Sequence, residues 1–438
     1  MPSKKSSDIK AGDRIRVAKD GKTYEGVLMP RTGLADSDSY TIKLDNGYNI
    51  GIDSKGATIE KIKSAEESTL GRTKESLLKL KFDSKKPLIS LVATGGTIAS
   101  RVDYRTGGVY AVEDPRELLY NIPELADIAN IKIISPFRKM SEDMGPEDWI
   151  EIAKHVAKEL NSGSEGVVVT HGTDTLHYTS AALSFFLKNL TKPVVLAGSQ
   201  KSSDRGSSDS FQNIICACRI AVSDIAEVGI CMHGSTSDSC NFFIRGTKAR
   251  KMDTVRRDAF RPINDLPIAF VWPGGKIEKV GEYRKRSAGK VELDTKFESK
   301  IAILKAYPGC DPSIIDYYIG KGYKGFVIEG TGLGHVPTPV SKNPWTPVIK
   351  KHAKNGIPFV VTPQTIYGRI NTDVYTNLRI LFHDSGAISG QDMTTETAYV
   401  KLGWVLGHTK DFEEVRKLIL TDLAGEISKR TLPESFLY

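Results

Sequence analysis

The sequence predicts an α/β protein: two α/β domains with mainly parallel sheets, preceded by a small antiparallel β-barrel module. Three observations carry this prediction. Uninterrupted apolar runs, among them PLISLVA, GVVVT and PVVLAG, read as strands buried on both faces. Helical patterns lie between them, and strand–helix alternation means a parallel sheet covered on both sides. The leading segment lacks such runs and alternates apolar with polar residues around turn signals.

The elements follow in order. Within 8–62, Ile15 and Val17 alternate with polar neighbours, DGK at 20–22 turns the chain, and DNG at 45–47 turns it again. Two hairpins closing into a small barrel are expected over 1–62. This module reads either as an RNA- or partner-binding unit or as a structural appendage, and it offers no aromatic stacking platform for bases. Residues 63–86 are polar and charge-rich, a linker with one short helix. A larger α/β domain spans 87–275. In it, Trp149, Ile152, Ala153, Val156, Ala157 and Leu160 mark one helical face after Pro146. Glu147 and Asp148 suit the first turn of that helix. The highly charged 276–300 stretch reads as a second linker. AILKAY, GFVIEG and PFVVTP then repeat the buried-strand grammar in a smaller C-terminal α/β domain over 301–438.

Composition narrows the function classes. With 438 residues, 39% hydrophobic and 26% charged, the chain is neither disordered nor collagenous nor a coiled coil. A net charge of +8 suits an anionic partner such as nucleic acid, and equally plain solubility. No apolar run approaches the roughly 20 residues that span a bilayer, and MPSKKSSDIK has no apolar signal core. A cytoplasmic protein is expected. Five cysteines without a CxxC pair, and eight histidines without HExxH, predict no disulfide framework and no metal site.

Ligands of open α/β sheets bind outside the carboxyl ends of the strands. Those ends carry Thr94-Gly95-Gly96-Thr97, Thr170-His171-Gly172-Thr173-Asp174, Ser199-Gln200-Lys201 and Thr331-Gly332. Glycines let backbone N–H groups approach a ligand. TGGTIAS lacks the residues of a P-loop or a dinucleotide fingerprint. The hydroxyls are candidate nucleophiles, but a threonine hydroxyl needs a base and an anion-stabilising pocket. Asp174 supplies a carboxylate beside Thr173. A lysine of segment 245–261, which holds seven Lys or Arg against two Asp, could supply the base if it turned inward. The residues do not single out which. His171 reads as a packing residue. Near the start of the last long helical pattern lie Asp384, Asp392 and Glu396, with Thr394 or Thr395 and Glu396 as capping residues.

TGGTIAS (94–100), THGTDTL (170–176) and, after both, the K-x-D-T segment at 251–254 resemble the bacterial-type L-asparaginase/glutaminase family over about residues 87–438. The leading β module, SEDM at 141–144, GSQKSSDRGSSD and RKMDTVRRDAF are similar to one branch of it, the amidase subunits of archaeal tRNA-dependent amidotransferases. The resemblance implies an asparaginase-like fold whose active site lies between the two domains and is completed by a neighbouring copy. Thr97 matches the family's first nucleophilic threonine, and the sequence leaves open whether Thr97 or Thr173 forms the covalent intermediate. Thr173, Asp174 and Lys251 match its Thr–Asp–Lys triad, and Tyr104 its flexible-loop tyrosine. Ser141 and Glu142 match contacts to the substrate's carboxylate and amine, and Gly96 borders the reacting amide. Glu142 departs from the Gln of many asparaginases, which alters recognition of a free amino acid.

The implied reaction is hydrolysis of the side-chain amide of glutamine or asparagine through a threonine acyl-enzyme. The implied partner is the amidotransferase's tRNA-binding E component, which binds Glu-tRNA(Gln), uses ATP and Mg, and accepts the ammonia. This chain itself is expected to hold no cofactor, and to form a homodimer within a heterotetramer. Two rivals stand beside this reading: a free-standing cytosolic asparaginase, and a non-catalytic RNA-binding or scaffold protein on the same fold.

Overall fold

A computed structural model describes residues 9–28, 39–44, 49–64, 83–96, 100–102, 109–111, 122, 124–202 and 208–438. The leading module is a five-stranded antiparallel sheet of β1 (Arg14–Lys19), β2 (Lys22–Leu28), β3 (Ser39–Lys43), β4 (Asn49–Asp53) and β5 (Thr58–Lys63), in the order β4-β3-β2-β1-β5. β1 and β2 join through Asp20 and Gly21, both at positive φ (50° and 74°), the tight turn whose twist matches paired strands. Alternation places Ile15, Val17, Ile42 and Ile52 in one small core. β5, which two hairpins alone do not account for, pairs with β1. The helix expected between the module and the first domain falls on 65–82, outside the described residues.

The main sheet contains β6 (Leu88–Ala93), β7 (Asn130–Ile134), β8 (Gly166–Thr170), β9 (Val194–Ala197) and β10 (Val228–His233), all parallel. Three antiparallel strands extend it: β11 (Asn241–Arg245), β14 (Ala269–Val271) and β15 (Ile277–Lys279). A separate antiparallel pair, β12 (Ala249–Lys251) and β13 (Phe260–Pro262), lies between β11 and β14 in sequence. The order of the main sheet is β15-β14-β11-β10-β9-β8-β6-β7. The chain moves from β6 to β7 on one side, then to β8 on the other. A crevice therefore opens at the carboxyl ends of β6 and β8, the switch point where α/β folds bind ligands.

Both faces of this sheet are covered, which accounts for its unbroken apolar strands. Val167 and Val169 face the core shared with α1 (Pro146–Asn161) and α2 (Leu176–Phe186), while Val168 faces the core under α3 (Ser210–Ala221). α1 begins at Pro146 after an extended Gly145, whose N–H donates to Asp148 Oδ2 at 2.9 Å. It buries the face that the sequence marks.

The smaller sheet holds β16 (Ile301–Lys305), β17 (Gly325–Gly330), β18 (Phe359–Pro363) and β19 (Ile388–Ser389), parallel throughout. The helices α4 (Ser313–Gly320), α5 (Thr346–Ala353), α6 (Thr395–His408) and α7 (Phe412–Leu420) accompany it. Leu402 and Val405 of α6 share one core with Leu183 and Phe186 of α2, so the two sheets are packed through their helices. The stretch 276–300 is not simply a linker: β15 edges the main sheet, and Glu292–Leu293 pairs with Leu187–Lys188. Edge strands stay charged because one side meets water.

Candidate active site

The ends of β6, β8 and β9 are laced together. The backbone N–H and the hydroxyl of Thr94 both donate to Thr170 O, at 3.1 and 2.9 Å, and His171 N–H donates to Ala197 O at 3.0 Å. Beyond Thr94 the chain passes through Gly95 and Gly96 at φ of 112° and 79°. A Cβ on Gly95 would lie 2.4 Å from Lys139 O, and one on Gly96 would lie 2.3 Å from Gly172 N. Only glycine permits this conformation and this approach. The turn after β6 thus presses on the turn after β8, and the sequence-distant TGG and HGTD segments form one wall.

Lys251 reaches that wall from β12. Its Nζ donates to Thr173 Oγ1 at 2.9 Å and to Asp174 Oδ1 at 2.7 Å. Thr173 is 7% exposed, and Asp174 stays largely open to solvent. The Thr173 hydroxyl accepts from Lys251, so its own proton is directed onward, towards Gln200 Oε1 at 3.5 Å. A buried hydroxyl with an ammonium on one side and an acceptor on the other is equipped to pass a proton.

Segment 245–261 shows which basic residue turns to the site. Arg245 pairs with Glu227, Lys248 with Asp392 and Arg250 with Glu396. Arg256 and Arg261 pair with Asp258, and Arg257 with Asp238. Every cation of the cluster has a carboxylate within the protein. These pairs tie the segment to the body of the protein. β12 alternates, so Arg250 and Lys251 point to opposite sides. Arg250 lines a polar cavity with Lys305, Glu329, Gln364 and Thr395.

Ser141 is buried in a 3-10 turn (Ser141–Asp143), its side chain close against Gly172. Its carbonyl accepts from Thr175 Oγ1 at 2.7 Å, while Glu142 projects into solvent. Gly96 stands in the wall as described. Thr97 and Tyr104 lie outside the described residues. His171 is a packing residue: its Nδ1 meets Gly172 O at 2.7 Å and its Nε2 meets Thr179 Oγ1 at 2.9 Å. Burial lowers it to about 4, so it is neutral. His177 is lowered to about 3, by burial first and then by the cations Arg250 and Lys251.

Thr394 caps α6, accepting from Thr397 N–H at 3.3 Å. Asp392 instead belongs to the domain contact with Lys248, both nearly solvent-free at 2.7 Å. Two residues take places that the sequence did not give them. Gln200 sits beside Thr173, although its GSQ follows a strand end and carries that signal. Glu396 anchors Arg250, a pairing across some 146 residues that no local pattern announces. Among the described residues no group of three or more His, Cys, Asp or Glu is placed to hold a metal ion, and no helix is long and apolar enough to cross a membrane.

Residues 88–283 match the asparaginase N-terminal family, 300–419 the glutaminase/asparaginase C-terminal domain, and 9–62 the GatD N-terminal domain. The GatD chain of Pyrococcus furiosus glutamyl-tRNA(Gln) amidotransferase is 52% identical over 99% of this chain and 98% of its own. That of Methanobrevibacter smithii is 44% identical over 99% and 97%. Among solved structures, the thermostable L-asparaginase of Thermococcus kodakarensis superposes with a TM-score of 0.70 at 30% identity, covering 78% of this chain and all of that one. L-asparaginase I of Vibrio cholerae superposes with a TM-score of 0.67 at 28% identity, covering 78% and 99%.

Proposed function

The chain belongs to the asparaginase family, in the GatD branch of glutamyl-tRNA(Gln) amidotransferase components, and from that premise we propose that it is the ammonia-producing half of an enzyme converting Glu-tRNA(Gln) to Gln-tRNA(Gln). The observation that carries the chemistry is Lys251 Nζ held between Thr173 Oγ1 and Asp174 Oδ1. Lysine kept in place by a carboxylate and touching a buried hydroxyl is the base-and-relay half of a threonine amidase.

The donor is glutamine or asparagine, its α-carboxylate and α-amine bound near Ser141 and Glu142. Thr97 Oγ attacks the side-chain amide carbon as its proton passes to the Tyr104 hydroxyl, which releases its own proton towards the leaving nitrogen. The tetrahedral oxyanion is held by backbone N–H groups near Gly96 and Thr173, which cost no reorganisation when charge develops. The C–N bond breaks, the nitrogen receives a proton, and ammonia leaves an ester on Thr97. Water, activated through Thr173 and Lys251, attacks that ester; its hydroxyl joins the acyl carbon and Thr97 recovers its proton. Glutamate or aspartate departs.

Ammonia released freely would be lost to water, so a recipient is required. The amidotransferase's E component is the proposed partner: it binds Glu-tRNA(Gln), activates the glutamate with ATP and Mg, and accepts the ammonia. tRNA contact runs mainly through that partner. The assembly is a homodimer of this chain within a cytoplasmic heterotetramer.

The test is amidation of Glu-tRNA(Gln) by the chain purified with its partner, glutamine and asparagine being offered in turn. Thr97→Ala and Thr173→Val are expected to abolish both ammonia release and Gln-tRNA(Gln) formation. Full activity in both variants would end the reading.

A further inference from the structure

Thr175 stands at the N-cap position of α2. A threonine hydroxyl there ordinarily accepts from a backbone N–H of the first helical turn. In this chain the carbonyl of Thr175 accepts from Tyr178 N–H and Thr179 N–H at 3.1 and 3.2 Å, but its side chain makes no capping bond. The hydroxyl donates instead to Ser141 O at 2.7 Å, across 34 residues of sequence. The helix start thus forgoes its own cap for a bond to another loop. A local rule broken in this way marks a position held for a purpose outside the helix.

That bond fixes a turn with few other anchors. Ser141 O accepts from Met144 N–H at 3.3 Å, which closes the 3-10 turn on itself. Glu142 and Asp143 are exposed. Ser141 alone is buried, wedged against Gly172 so closely that a Cβ there would lie 2.7 Å from its Oγ. Gly172 sets how near the turn approaches, and Thr175 sets where along the wall it rests. Thr175 follows Thr173 by two residues, and Thr173 holds Lys251. One short stretch of chain therefore carries both the reacting groups and the anchor of the 141–143 turn.

We propose that Thr175 is a positioning residue for donor binding: acting through Ser141, it fixes the turn that takes the α-carboxylate and α-amine of glutamine or asparagine. This rests on the amidase reading and deepens it. The α-groups are common to both donors and do not change as the side-chain amide reacts. A contact that places them acts equally before and during bond breaking, so its loss raises KM and leaves kcat nearly unchanged.

The experiment measures ammonia release from glutamine and asparagine, and its competitive inhibition by L-glutamate and L-aspartate, for the intact chain with its partner. The two inhibitors keep the α-groups and lack the reacting amide, so they report binding without chemistry. Thr175→Val keeps the branched shape and removes the hydroxyl, Thr175→Ala removes it without the branch, and Thr175→Ser retains it. In Thr175→Val and Thr175→Ala, KM for both donors and both inhibition constants are expected to rise together by about fivefold to tenfold, with kcat within about twofold. Thr175→Ser is expected to stay within about twofold of the unaltered protein in every constant. Lys251→Ala serves as the control for the amidase reading. If it is inactive while Thr175→Val and Thr175→Ala keep KM and the inhibition constants within about twofold, this inference fails and the amidase reading stands. A loss confined to kcat, or a rise in KM as large in Thr175→Ser as in Thr175→Val, also overturns it. If Lys251→Ala retains full activity, the amidase reading fails, and this inference with it.

Discussion

The ammonium of Lys251 lies 2.9 Å from the hydroxyl of Thr173 and 2.7 Å from the carboxylate of Asp174, although 77 residues separate lysine from aspartate. The two elements meet because β8 ends at the switch point of the main sheet while the β12/β13 pair lies across it. If the three groups act as one unit, their removal is not additive. Asp174→Asn and Thr173→Val are each expected to lower ammonia release by roughly 10²-fold or more, and the double variant to be little worse than the more severe single one. Losses that multiply would show the groups working independently.

Gly96→Ala tests the close approach of the two turns. The added methyl would lie 2.3 Å from Gly172 N in a backbone at φ of 79°. The expected cost is roughly 2–4 kcal/mol of stability, with ammonia release lost alongside. Thermal unfolding and activity read the two effects, and a variant equal to the parent in both would refute the packing described.

The contact between Lys248 and Asp392 joins the large domain to the small one through two charges with almost no solvent. Removing one partner leaves the other buried and uncompensated. Lys248→Met is expected to destabilise the chain by roughly 3–5 kcal/mol in denaturant unfolding. A change under about 1 kcal/mol would mean that the remaining carboxylate is satisfied by Arg369 and the Ser428 N–H alone.

His171 and His177 predict how stability responds to acid. Folding lowers them from 6.5 to about 4 and about 3, with burial the leading cause in both. The unfolded chain therefore takes up protons near pH 6.5 that the folded chain refuses until near pH 4 and below. Stability from these groups is complete above about pH 6.5 and falls as pH drops towards about 4. His171→Gln is expected to reduce the slope of unfolding free energy against pH in that window by up to about 1.4 kcal/mol per pH unit. An unchanged slope would contradict the assignment of His171 as a buried neutral imidazole.

Much of this is readable from the chain, for physical reasons that also mark where reading stops. Val167, Val168 and Val169 announce a strand buried on both faces, since consecutive apolar side chains point to opposite sides of a sheet. Pro146 with Asp148 announces a helix start through its own capping geometry. The paired glycine–threonine turns announce a site because strand ends at a switch point are where backbone and hydroxyls are exposed to ligand. Lys251 cannot be told from Lys248 or Arg250 by composition, since the choice is made by Asp174, Asp392 and Glu396, carboxylates remote in sequence. β15, with its charged Glu278 and Lys279, resembles linker because an edge strand needs no apolar run. Gln200 stands at a strand end, as the other site turns do, but its place against Thr173 is made by the fold and has no further mark in the local sequence.

The most direct measurement is the rate of ammonia release from glutamine and from asparagine by Lys251→Met in the intact chain with its partner. With Lys251 as the inward-turned cation that orders Thr173 and Asp174, the rate falls by about a hundredfold or more for both donors while the chain remains folded. A folded Lys251→Met chain releasing ammonia within about twofold of the unaltered protein would contradict the account.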